Sequence, residues 1–229
     1  MARMLLIVVT LVAATLAGRA IAQTPPDAAE LAAYRGLHAA AASGDVVAIR
    51  SLVQAGETLD ARDGNGRTPL HVAAFRRQVE AIRALIAAGA DPGLFDNQRY
   101  DAVTIVSVTD DVLALKALLA SGASAKLITS RYDGTALIAA AHLGHDGIVR
   151  ELIVAGAPLD HVNNLGWTAL IEAVILGDGG KRHVETVRAL LVAGADRSLA
   201  DRQGVTPLRH ARARGYTAIV ALLEASASR

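Results

Sequence analysis

Seven histidines, scattered aspartates and glutamates, and no cysteine limit the chemistry open to this chain of 229 residues. A metal site needs three or four such donors brought together, and often shows in sequence as donors a few residues apart. His142 and His145 are three residues apart. Gly144 lies between them and reads as a helix stop, so their rings are not expected to share a face. His161 and His210 have no partner at ligand spacing. A thiol nucleophile is excluded by composition. The chain has no G-x-S-x-G, no glycine-rich phosphate loop and no H-E-x-x-H, the arrangements that expose a serine, cradle a phosphate or hold a catalytic zinc. No catalytic residue, no metal and no cofactor is expected. The enzymatic alternative is a set of titratable groups that only folding brings together.

The elements that would carry these residues are built from small aliphatic side chains. Hydrophobic residues make up 52% of the chain but aromatics only 3%. An interior of Ala, Leu, Val and Ile suits closely packed helices, since Ala lets backbones approach and is the best helix former. The net charge is +1 with no run of Lys or Arg, so the electrostatic footprint of a nucleic-acid-binding protein is missing and no nucleic-acid partner is expected.

The first 22 residues read as a signal peptide. Arg3 supplies a positive start, residues 5–17 (LLIVVTLVAATLA) an apolar stretch, and Ala20-Ile21-Ala22 a small-x-small cleavage site. The apolar run is shorter than the roughly 20 residues that span a bilayer, so no membrane span is expected after cleavage. An uncleaved anchor is the alternative. Cleavage would remove Arg3 and Arg19 and take the net charge from +1 to −1. An exported chain could form disulfides, yet this one has no cysteine. Both methionines, Met1 and Met4, lie in the leader. Packing without sulfur accounts for that better than a need to resist oxidants.

One phrase recurs along the remainder. Thr68-Pro69-Leu70-His71 is echoed by TALI at Thr135, TALI at Thr168 and TPLR at Thr206. With Arg35 and Asp101 at the equivalent positions, the intervals are 33, 33, 34, 33 and 38. Gly56, Gly89, Gly122, Gly156 and Gly194 keep the same irregular register, at 33, 33, 34 and 38. This pattern resembles the ankyrin repeat, whose period is 33 residues and whose signature is T-P-L-H-x-A. The resemblance implies an all-α solenoid of about six helix-turn-helix repeats joined by hairpin-like fingers. Their expected bounds are near 35–67, 68–100, 101–134, 135–167, 168–205 and 206–229, after a linker and capping helix over 23–34.

Each position has a physical reading. Thr68 caps a helix, and Pro69 follows where its missing N–H costs nothing. Leu37, Leu70, Val103, Leu137, Leu170 and Leu208 point into a core. Three residues on, the column Ala40, Ala73, Val106, Ala140, Ala173 and Ala211 is small enough for neighbouring helices to approach. Second-helix stripes follow, as in Ile82, Leu85 and Ile86, or Val187, Leu190 and Leu191. Asp110 stands where a helix-turn glycine is usual. A helix is expected after Asp27, and Arg212 with Glu224 marks a polar outer cap. The fourth finger has one extra residue. The fifth repeat has five, placed at 178–182 between its helices and read as a tolerated surface loop.

The resemblance also implies where function sits. His38 and His71 fall at a position the family uses for structural hydrogen bonds, and His145 and His183 at another common one. The concave surface of such arrays is made by finger tips and first-helix ends. Mapped here, it includes Arg67, Phe75, Arg76, Tyr100, Arg131, Tyr132, Leu165, Trp167 and Leu176, with His142 and Leu143 beside them. Four of the seven aromatics, Phe75, Tyr100, Tyr132 and Trp167, fall on it in successive repeats. Tyr, Trp and Arg are the side chains that dominate interfaces. The expectation is a monomeric, non-enzymatic scaffold that binds an envelope protein, periplasmic or secreted, in a bacterium whose Arg-over-Lys, Ala-rich usage suggests a GC-rich genome. A small ligand in the concave groove, such as a glycan or peptidoglycan fragment, is the alternative.

Overall fold

The structure is a computed structural model that describes residues 23–225. The leader expected over 1–22 lies outside the described residues. A short helix α1 (Ala28–Ala33) precedes six helix pairs. These are α2 (Gly36–Ser43) with α3 (Val46–Gln54), α4 (Pro69–Phe75) with α5 (Val79–Ala87), and α6 (Ala102–Val108) with α7 (Val112–Ala120). Then come α8 (Ala136–Leu143) with α9 (Asp146–Val154), α10 (Ala169–Ile175) with α11 (Lys181–Val192), and α12 (Pro207–Ala213) with α13 (Thr217–Ala225). First helices pack on first helices of the next pair and second helices on second helices. The result is two layers extended along one direction.

The recurring threonine starts each first helix. Thr68, Thr135, Thr168 and Thr206, with Asp101 in the third repeat, each accept a bond from the backbone N–H three residues on. Such a cap satisfies a donor that the helix itself leaves free. Arg35 offers no such cap, and Glu57 fills its place by accepting from the Leu37 N–H at 2.7 Å. Asp27 and Glu30 form a reciprocal capping box on α1.

Second helices end in left-handed glycines. Gly89 has φ +102°, and the following Ala90 N–H bonds back to the Leu85 carbonyl. The same bond recurs after Gly56, Gly122, Gly156 and Gly194. The turn between paired helices uses the same conformation at Gly44, Gly144 and Gly215, and also at two residues that carry a Cβ, Arg77 and Asp110. Asp110 is the departure from glycine marked in sequence, and Arg77 is a second at the same register.

The core follows the repeat. Leu37, Leu70, Val103, Leu137 and Leu170 are buried, as are all six residues of the small column. Leu208, on α12 of the last described pair, is only half-buried. Ile86 and Leu191 are also half-buried, at the edge of their stripes, while Ile82, Leu85, Val187 and Leu190 are fully enclosed. At the far end Arg212 and Glu224 pair at 2.6 Å, both exposed.

The insertion lies where the sequence places it, but only part of it is loop. Lys181 and Arg182 join α11, which has 12 residues where α9 has 9. Arg182 then reaches Asp110 at 2.8 Å and Asp146 at 3.6 Å, in the two preceding repeats. The Tyr216 hydroxyl donates to the Gly177 carbonyl at 2.8 Å from the following repeat. The segment therefore staples its neighbours.

Ala140 sits on α8 between α6 and α10 with no exposure. Ala140→Leu is expected to cost about 1–3 kcal/mol, because the added volume has no room. Ala213→Leu, at an exposed site on α12, is expected to stay within about 0.5 kcal/mol. Urea denaturation of the two variants checks both.

A candidate interaction face on the fingers and first helices

The fingers are held edge to edge by backbone bonds. Asn97 N–H donates to the Asn65 carbonyl at 2.9 Å, Ser130 N–H to Arg99 at 2.8 Å, and Asn164 N–H to Tyr132 at 2.9 Å. Histidines add a second tie between repeats. His38 bonds the Arg67 carbonyl at 2.9 Å, His71 the Tyr100 carbonyl at 3.0 Å, and His161 the Asp133 carbonyl at 2.6 Å. His145 and His183 do the same for Ser107 and His142, at 2.9 and 3.0 Å. A ring N–H must donate in each, so these imidazoles are structural. Among the described residues no group of three or more His, Asp or Glu is placed to hold a metal ion.

The mapped residues are not equally available. Arg131, Leu165, Leu176 and Arg76 are exposed, as is Leu143. Tyr132 and Trp167 are half-buried. Phe75 and Tyr100 are also half-buried, but both lean on the core. The Tyr100 hydroxyl is held above its ordinary pKa, first by burial, then by the nearby Asp96 and Tyr132, with Arg131 opposing. Tyr100, Tyr132 and Arg131 are thus electrostatic neighbours.

Arg67 is the clear correction. It was expected on the surface, but it is 1% exposed. Its guanidinium pairs with Asp63 at 2.7 Å and with Glu30 at 2.6 Å, and donates to the Thr24 carbonyl at 3.2 Å. Residues 23–30 lie over it. Pro26 and Gln23 are buried there, and the Gln98 side chain bonds both the Thr24 N–H and its hydroxyl. Asn65 donates to Glu30, and Tyr34 donates to Asp63. Burial works against the Asp63 carboxylate, but the bonds from Tyr34, Arg67 and Asn65 hold its pKa below the usual value. The chain's own N-terminal segment therefore occupies the finger surface of the early repeats. No local spacing announces a contact 74 residues apart.

A second polar group also went unread. Glu172 is buried in α10, accepts from the Asn163 side chain at 2.8 Å, and lies 3.5 Å from His142. His210 and Asp201 repeat that link one unit later, at 2.7 Å. These are finger-to-helix ties. Shallow grooves of about 400 Å³ between α3 and α5, and about 490 Å³ beside Asp110, Asp146 and Arg182, lie off the mapped face.

Comparison with known proteins agrees with this architecture. Ankyrin-repeat family models match residues 37–86 (many copies) and residues 104–196 (3 copies). An ankyrin repeat domain from Acinetobacter baumannii AYE is 44% identical, with a TM-score of 0.80, covering 84% of this chain and 98% of that one. The ankyrin repeat domain of Bcl-3, described as a unique member of the IkappaB family, is 31% identical at a TM-score of 0.75, covering 86% and 88%. A putative ankyrin repeat protein of Escherichia coli K12, YahD, is 41% identical over 98 residues, 42% of this chain and 49% of that protein. The chain thus spans about half the length of that curated relative. It belongs to the ankyrin-repeat family, whose repeats generally mediate protein–protein interaction.

Two titrating groups make this scaffold sensitive to pH. Burial holds the His71 imidazole below its ordinary 6.5, although Asp96 and the Tyr100 carbonyl oppose the shift. The unfolded chain then binds a proton that the fold refuses, so stability is full above 6.5 and falls as the pH drops below it. The loss of denaturation midpoint between about pH 7.5 and pH 5.5 is expected to be smaller in His71→Gln. Asp101 has the opposite sign. Burial raises its carboxyl above the usual 3.8, despite bonds from Thr104, so its contribution is present below that value and is lost as the pH rises. Asp101→Thr restores the usual cap and is expected to gain about 1 kcal/mol at neutral pH, a gain that shrinks in acid. Parallel melts across pH check it.

Proposed function

We propose that this protein is a non-enzymatic scaffold that binds another protein of the cell envelope through the concave side formed by its fingers and first-helix ends. Export to the periplasm, by cleavage after Ala22, belongs to this reading, as does a monomeric state. Support comes from the leader-like N-terminus and from an array that stacks on apolar side chains without cysteine. Contact is expected at the fingers that lead into α8 and α10 and at the ends of those two helices. There Tyr132 and Trp167 are half-exposed and Leu143, Leu165 and Leu176 are exposed, whereas residues 23–30 already cover the earlier fingers.

The observation that carries the reading is this pairing of aromatic and leucine side chains on adjoining repeats whose cores are otherwise closed. Solvent-facing leucines and a half-exposed tryptophan cost little singly, but together they supply the rigid contact area that interfaces use.

Trp167→Ala and Tyr132→Ala are each expected to weaken partner binding by about 2 kcal/mol, roughly thirtyfold, with a small change in melting temperature. Affinity capture from envelope extract with the wild type, followed by titration of the captured protein, measures this. Unchanged affinity in the double variant rejects the face. Binding of a peptidoglycan fragment, lost in the same variant, replaces the protein reading by the small-ligand one.

A further inference from the structure

The charges of this molecule are divided between its two layers. On the second helices cations are largely matched. Arg83 lies 3.5 Å from Glu80, Lys116 is 3.0 Å from Glu151, and Arg182 is 2.8 Å from Asp110. Exposed acids such as Asp91, Asp160, Asp178 and Asp196 line the loops and turns that join the helices. The finger side is different. Its acids Asp96, Asp201 and Glu172 are buried and bonded to backbone N–H groups, His210 and Asn163, and the half-exposed Asp133 is taken up by Arg99 at 3.0 Å. Its arginines Arg76, Arg131, Arg202 and Arg214 are exposed. None of the four forms an ion pair among the described residues; Arg202 donates to the Asn164 carbonyl instead.

The chain also contains an example of what this side accepts. Its own residues 23–30 lie on the early fingers with a carboxylate, Glu30, on Arg67 and the Thr24 backbone held by Gln98 and Arg67. Pro26 packs beneath. Beyond the point where this segment leaves off, Arg99 is met by Asp133 at 3.0 Å, while Arg131 and Arg202 form no ion pair among the described residues.

Resting on the scaffold reading above, we infer that the partner meets the later repeats with an acidic segment carrying an apolar side chain. Its carboxylates pair with Arg131, Arg202 and Arg214, and its apolar group lies between Tyr132, Leu165 and Trp167. A guanidinium matches a carboxylate in a two-point fork, so separated arginines recognise separated acids. A nucleic acid would call for a continuous basic track, and a membrane surface for a basic amphipathic helix. Here each arginine is a repeat or more from Arg131, with leucines between, as a polypeptide side-chain pattern requires.

The test uses the full chain in its native cells, with a photo-crosslinking amino acid at Tyr132 or Leu176 and identification of the crosslinked peptide by mass spectrometry. The expected adduct is a protein segment of net negative charge. Adduct yield is expected to fall about tenfold in Arg131→Glu with Arg214→Glu, and less in the Gln pair at the same sites, since opposed like charge repels as well as removing attraction. Arg83→Glu with Arg188→Glu, on the second helices, is expected to leave the yield unchanged. Thermal melts confirm that each variant is folded. A protein adduct through a neutral or basic segment, or equal loss in both charge-reversal pairs, overturns the acidic-segment inference and leaves the scaffold reading standing. Adducts only to nucleic acid or lipid, or no adduct, overturn both.

Discussion

The structure depends on how closely neighbouring first helices approach. Each helix pair buries its leucine and its stripe both within itself and against the neighbouring pairs, so that the buried residues form one continuous core. The approach is permitted by one column of side chains, Ala40, Ala73, Val106, Ala140, Ala173 and Ala211. Its members are small because a larger group would separate the helices along the whole contact, forfeiting dispersion contacts over that length. Almost everything else serves that approach. The threonine caps fix where each helix starts, and the left-handed turns fix where it stops. The histidine bonds to neighbouring carbonyls set the register between units.

That constraint explains why so much of the fold could be read from residue order. A repeat is a local rule applied again, so a cap at Thr68 and a glycine at Gly89 carry to most units, the first helix start at Arg35 being the exception. The six helix starts, the five glycine stops, the polar cap at Arg212 and Glu224, and the capped helix after Asp27 all follow from nearest neighbours in sequence. Arg67 did not. It occupies the same register position as Tyr100 and Trp167, and nothing within its own repeat distinguishes a buried arginine from an exposed one. Its burial comes from residues 24 and 30, beyond the preceding unit. Glu172 escaped notice for the related reason that its partners, Asn163 and His142, belong to a finger and to another helix.

The two departures from glycine at the helix turn illustrate how a periodic array absorbs exceptions. Arg77 and Asp110 hold a left-handed backbone that costs a residue with a Cβ about 1 kcal/mol or more. Both are tied to adjoining acids or cations: Arg77 lies 3.7 Å from Asp111, and Asp110 accepts from Arg182. The cation that meets Asp110 comes from the insertion, a full repeat beyond its neighbour. An added segment that looked like slack in the chain therefore fastens three units together. Loop length alone gives no hint of this, because closing a somewhat longer loop is nearly free, while the gain appears only once Arg182 is in the helix.

The same logic separates the two sides of the array. On the second helices, side chains at adjacent turns and in adjacent repeats lie near one another, so acids and cations there find partners within the molecule. On the finger side Asp63, Asp96 and Asp201 are turned inward, bracing the turns of their fingers through backbone N–H groups, as Ser130 and Asn163 do in the other two. Asp63 braces its turn and also meets Arg67, whereas Asp96 and Asp201 brace theirs with no arginine paired to them among the described residues. Arg131, on a finger whose turn Ser130 braces, and Arg202, beside the inward-facing Asp201, form no ion pair among the described residues, and that equips this side, rather than the other, to take carboxylates from outside.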